Sequence, residues 1–228
     1  VASERLSLYE ALYSTAFRRH PYKRFNFGDE KIARRVTLKR VKDKFCEYFS
    51  AAKPVLIVFG SISKKSLEPL AEIFSRLSLS KKGRIAAQLP SAKVSVRNGR
   101  DVKWLRTSDA YWQMLIGYPA PPDGDRDRIS LMVFSEVLMS SFFLGKIDWL
   151  GKNERLIPHL PVTRYDSLYE IYVQFDKSDP ASFERQLHRR LLRLSSDLPQ
   201  SVFDEMKRRV LRRLRQDKRN EELRALRL

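Results

Sequence analysis

Hydrophobic residues in the first third of the chain recur at helical spacing in three stretches. Leu6, Leu8, Tyr9, Leu12, Tyr13 and Phe17 share a face across residues 4–17, with Ser3 as an N-cap and Pro21 beyond the end. Thr37 precedes a second stretch carrying Leu38, Val41, Phe45, Tyr48 and Phe49, which Pro54 stops. Val55 to Phe59 then form a continuous apolar run rich in β-branched residues. Such a run predicts a central strand over 54–60, covered on both faces and ended by Gly60. A third helix starts at Ser66 and turns Leu67, Leu70, Ile73, Phe74 and Leu77 inward, with Pro69 in its first turn.

The periodicity breaks at 78–92, SLSKKGRIAAQLPSA, a basic and small-residue stretch that reads as a linker. Two strand candidates follow, AKVSV at 92–96 and AYWQMLIGY at 110–118, the second running into the loop PAPPDGD. Residues 126–143 are apolar almost all round, as in a helix buried between a sheet and other helices. LYEIYVQFD at 168–176 alternates like a half-buried strand. Helices follow from Pro180 to about Leu194 and from Ser201 into the C-terminal region. The expected fold is α/β in layers, with mixed sheets covered by helices, and the pattern divides at 1–80, 81–107 and 108–228.

Composition fits a folded domain or two, with 43% hydrophobic and 32% charged residues in 228. No apolar run reaches the roughly 18 residues that cross a bilayer, so the expectation is a soluble chain without a transmembrane segment. Cys46 is the single cysteine, which excludes an internal disulfide and reads as a small buried apolar residue, as in a reducing cytoplasm or organelle matrix.

Charge changes the picture more. Lys and Arg number 45 against 27 Asp and Glu, a net +18 that attracts polyanions and acidic surfaces. The excess peaks at 207–219, where Val210, Leu211 and Leu214 make an apolar side while Arg208, Arg209, Arg212, Arg213 and Arg215 make a cationic one. These five arginines are the candidate partner-binding residues. An acidic protein suits them better than nucleic acid, because no RNP-type aromatic strand, CxxC finger or Gly-rich loop accompanies them.

Catalytic chemistry has little to stand on. His20, His159 and His188 are scattered; Glu184 precedes His188 by four, but two residues do not make a metal site, and a surface ion pair is the expectation. No GxSxG, P-loop or Cys/His combination occurs. Asp29/Glu30 and Glu221/Glu222 lie in polar surroundings that suit solvated charge. No catalytic, cofactor-binding or metal-ligating residue is therefore assigned.

The order of elements around HPYKRFNFGDE (20–30) and PVLIVFG (54–60), together with LPQSVFDEMKRRVLRRL (198–214), resembles the inverted zinc metallopeptidases of the pitrilysin, insulin-degrading enzyme and mitochondrial processing peptidase type. The resemblance implies that 1–80 is the C-terminal part of a first peptidase-like domain, 81–107 a linker and strand, and 108–228 a second related domain. In that family the HxxEH zinc helix and its later glutamate ligand precede the HP(Y/F) segment, and this sequence starts after them. No cofactor is then expected in this chain, with zinc only if an upstream segment or a partner subunit supplies it. His20 would shape a loop. The family's second domain often contributes an arginine and, seven residues later, a tyrosine; laid on WLGKNERLIPHL, those positions fall on Gly151 and Pro158.

The resemblance implies a non-catalytic homologue or C-terminal half of such a peptidase, inactive alone, acting as a chamber-forming, peptide-binding or scaffold subunit. Its partner would be another peptidase-like subunit or domain in a hetero- or homo-oligomer. A peptide could add to a sheet edge, for which LYEIYVQFD is the candidate. Two alternatives stand beside it. One is a basic adaptor that binds RNA or an acidic protein through the Arg-rich helix. The other is the C-terminal part of an active zinc endopeptidase whose metal site lies upstream.

Overall fold

In a computed structural model, the structure describes residues 2–17, 20–23, 30–51, 56–58, 62–75, 102–103, 105, 111–145, 155–175 and 179–219. Contacts within the chain group residues 1–26 with 90–212, and 27–89 with 213–228. The expected boundaries at 80/81 and 107/108 lie outside the described residues, as does the strand candidate at 92–96. Of the expected linker only Val102, Lys103 and Leu105 are described, and they are in neither helix nor strand.

The first grouping is built on a three-stranded antiparallel sheet. Its strands are β1 (Trp112–Ala120), β2 (Arg155–His159) and β3 (Ser167–Phe175), in the order β1-β3-β2. β3 pairs residue for residue with β1 from Trp112↔Phe175 to Ala120↔Ser167, and with β2 from Arg155↔Gln174 to His159↔Glu170. β3 is therefore the centre of the sheet, and nearly every residue of it is buried. This corrects the expectation that LYEIYVQFD offers a free edge: both its edges are taken. β1 runs on through Pro119, a residue without an N–H that an outer strand tolerates.

Helices cover both faces of the sheet. On one face β3 presents Tyr169, whose ring lies 5.6 Å from Phe134 of α5 (Asp127–Leu138), and Phe175, stacked at 3.8 Å on Phe183 of α7 (Pro180–Asp197). The other face takes α1 (Ala2–Ala16), whose Leu12 lies against Gly117 and Leu168. A Cβ at Gly117 would come within 3.0 Å of Leu12, so glycine is what lets this helix approach.

The helix expected over 126–143 is broken into α5 and a short α6 (Ser141–Leu144). Ser140 takes an extended backbone there, and its hydroxyl accepts the Phe143 N–H at 3.3 Å, so an N-cap interrupts the apolar run. Asp179 caps α7 in the same way, accepting from Ala181 and Ser182 ahead of Pro180. Buried Arg128 donates to the Pro121 and Pro161 carbonyls at 3.0 Å each, tying the proline-rich loop after β1 to the one before β3.

Residues 27–89 contain α2 (Glu30–Ala33), α3 (Leu38–Ala51) and α4 (Lys64–Ser75). Thr37 caps α3 as its sequence predicts, with Oγ1 accepting from Arg40 at 3.3 Å. The burial expected here is not found. Leu38, Val41 and Phe45 of α3, and Leu67, Leu70 and Ile73 of α4, all face solvent, Phe45 being 58% and Ile73 63% exposed. Cys46 is exposed as well, against expectation. Leu56, Ile57 and Val58 are exposed and not in a strand, while the rest of the expected strand lies outside the described residues. The physical reason is common to all three. An apolar face is buried only when a neighbour covers it, and a strand needs a paired backbone. Among the described residues 27–89 no side chain is buried.

Candidate functional site

The polar centre of the molecule lies where α1 crosses the sheet. Glu170 sits in the middle of β3 and is 1% exposed. A carboxylate so placed is costly unless its oxygens are bonded, and both are. Tyr13 of α1 donates its hydroxyl to Oε1 at 2.6 Å, and His159 of β2 brings Nδ1 to within 2.7 Å of Oε2. Helix, central strand and outer strand are thereby joined through one side chain. Burial, and next the hydrogen bond to Glu170, hold the Tyr13 hydroxyl well above the ordinary tyrosine range. On the opposite face burial pushes Tyr169 up to about 12, even though its hydroxyl lies 3.0 Å from Ser135 Oγ.

Further along the face that carries Glu170, Tyr172 donates to Gln113 Oε1 at 3.0 Å. The half-exposed His159 directs Nε2 away from Glu170. Orienting an imidazole through Nδ1 is what hydrolytic and metal sites do, but they require a nucleophile or further ligands. Among the described residues no group of three or more His, Cys, Asp or Glu converges on a point that could hold a metal. The constellation as it stands locks helix and strands together.

His20 is placed as the resemblance implied. It is buried, its Nδ1 accepts the Tyr22 N–H at 3.2 Å, and its ring meets Tyr22 at 4.5 Å and Tyr165 at 5.7 Å. It shapes the turn Pro21–Lys23 around an aromatic cluster with Phe17. His188 stands exposed on α7, one turn after the half-buried Glu184. Glu30 pairs with Arg34 one helical turn on, both exposed, while Glu221 and Glu222 lie outside the described residues. Pro158 falls inside β2, and Gly151 is outside the described residues.

The five candidate arginines lie on α8 (Gln200–Arg219), and all five are exposed. Met206 and Val210 form the buried side and Leu214 is half-buried. Leu211, expected among the packed residues, is exposed instead, because it projects beside Arg208 and Arg215. Arg209 is drawn to Glu205 at 2.6 Å. The Tyr13–Glu170–His159 constellation was not anticipated from sequence. Its one signal is a lone glutamate in an otherwise apolar and aromatic strand, LYEIYVQF, which marks a buried charge only once both faces are known to be covered.

Similarity to known proteins agrees with this architecture. A family model described as the peptidase M16 inactive domain matches residues 35–210. A search of curated sequences gave no significant match. Among solved structures, a protease from Helicobacter pylori superposes with a TM-score of 0.70 at 18% identity, covering 96% of this chain and 55% of that one. The peptidase M16 inactive domain from Pseudomonas fluorescens gives 0.69 at 15% identity, covering 90% and 50%. These likenesses show the fold, and the chain spans about half the length of either structure. With the inactive-domain model matched over well more than half its residues, this chain belongs to the M16 family of inverted zinc metallopeptidases, as a non-catalytic domain of the C-terminal type without the zinc segment.

Proposed function

We propose that this chain is a chamber-forming or scaffold subunit, completed by another peptidase-like domain that packs on α3, α4 and Leu56–Val58. The observation that carries the proposal is the exposure of nine large apolar side chains there: Leu38, Val41, Phe45, Leu56, Ile57, Val58, Leu67, Leu70 and Ile73. Covering each fully would contribute about 1.5–3 kcal/mol, enough in sum to drive a stable association. Leu56–Val58 are apolar, and Ile57 and Val58 are β-branched, which suits them to pair with a strand supplied by the partner. A net charge of +18 disfavours a second copy and favours an unlike partner.

A peptide adding as an extra strand would have to use the outer side of β1 or of β2. Each of these strands contains a proline without an N–H, Pro119 in β1 and Pro158 in β2, which makes either a poorer template for an added strand. The scaffold role is therefore the better supported of the two. Val41→Asp with Phe45→Asp should dissociate the native complex, read as mass by light scattering, while leaving the melting of the sheet grouping unchanged. A parental chain that is monomeric in its native extract at 26.8 kDa would end the proposal.

A further inference from the structure

The outward faces of α7 and α8 repeat one arrangement. Residues 189–193 read RRLLR and 208–212 read RRVLR, so each helix carries an arginine, an outward leucine three residues on, and a second arginine beside it. Leu192 is 65% exposed and Leu211 40%. Arg185 extends the row on α7 and Arg215 on α8, at intervals of three or four residues, so that cations follow one another about every 6 Å along the axis. Arg185 pairs with Asp179 at 3.9 Å, whereas Arg189, Arg193, Arg208 and Arg212 form no ion pair among the described residues. Like charges at this spacing repel one another unless an anion lies between them.

The two leucines decide which anion fits. A phosphate backbone would use the arginines and gain nothing from Leu192 or Leu211, and among the described residues neither α7 nor α8 itself carries an exposed Phe, Tyr or Trp to stack a base. A bilayer surface would need a broad apolar face, but Met206 and Val210 on α8, and Phe183, Leu187 and Leu194 on α7, are already buried. A second copy carries the same +18. A protein segment with carboxylates at helical spacing around one apolar side chain uses both features, because the arginines pair at the rim while the leucine is covered at the centre.

We propose that Arg189–Leu192–Arg193 on α7 and Arg208–Leu211–Arg212 on α8 are each a docking strip for an acidic amphipathic helix of another protein. The proposal is independent of the partner that covers α3 and α4, since it uses different residues and a different chemistry.

The test is fluorescence anisotropy on the full chain at about 0.15 M salt. The probes are a synthetic helix with glutamate at every fourth position and leucine between, the same helix with serine for leucine, single-stranded oligouridine, and phosphatidylserine vesicles. The leucine-bearing helix should bind saturably and at least tenfold more tightly than the other three. Leu192→Ser with Leu211→Ser should weaken it about tenfold, and Arg189→Gln with Arg212→Gln at least as much, with melting temperatures unchanged because all four side chains are exposed. Equal binding of the serine helix, or tighter binding of oligouridine or vesicles, would overturn the proposal. So would a lowered melting temperature in the leucine variant, which would place those side chains in the core.

Discussion

Glu170 shows how one side chain can join a helix and two strands of a fold. Its two oxygens are claimed by Tyr13 and His159, so Glu170→Ala leaves a half-buried hydroxyl and an imidazole without their acceptor. That should lower unfolding free energy by about 1–3 kcal/mol in urea titrations. The loss should be less than additive with Tyr13→Phe, because the two changes remove the same bond. Tyr169 makes a second test. Burial raises its pKa from the ordinary 10.0 to about 12, so above pH 10 the folded chain keeps a proton that the unfolded chain releases. Stability should therefore be level below about pH 10 and fall as pH rises through 12. Tyr169→Phe should lessen that decline without removing it, because burial also raises Tyr13 and Tyr118, at a cost of about 0.5–1.5 kcal/mol at neutral pH for the Ser135 hydrogen bond.

At the scale of elements, the close approach of α1 to the sheet depends on Gly117. A β-branched side chain there meets Leu12 and Leu168 at once, so Gly117→Val should destabilise the fold by about 1–3 kcal/mol. The tyrosine fluorescence of the Tyr13, Tyr22 and Tyr165 cluster should change with it. Unchanged melting and emission would show that α1 is not seated on the sheet. Helix starts were legible in sequence where a capping residue stands alone before an apolar run, as at Thr37. They were less so at Ser140, where an N-cap sits inside an unbroken apolar stretch and only its extended backbone reveals the break. β2 escaped notice because five residues with a proline among them carry too little alternation to read as a strand.

For the whole molecule, the absence of an HxxEH sequence and the scatter of three histidines carry one expectation. After dialysis against a chelator and return to zinc, the isolated chain should retain no stoichiometric metal by elemental analysis and cleave no peptide. One tightly held zinc with chelator-sensitive peptidase activity would overturn the non-catalytic assignment. It would also favour the reading in which the chain is part of an active endopeptidase. Membership of the M16 family does not by itself identify a partner, since the match covers about half the length of the solved relatives. On the scaffold reading proposed above, the exposed faces of α3 and α4 would receive such a partner.

By itself the sequence determined most of the long helices, the two long strands of the sheet, the cationic side of α8 and the lack of an HxxEH motif in the given residues. These depend on local spacing, capping and residue type, which need no knowledge of distant neighbours. Only tertiary structure decided that LYEIYVQF is central and not an edge, that a single glutamate within it binds residues 157 and 11 positions away, and that Leu56–Val58 lie exposed. Burial is a property of what packs against a residue, so an apolar stretch reads the same in sequence whether its covering neighbour is present or is still to be supplied.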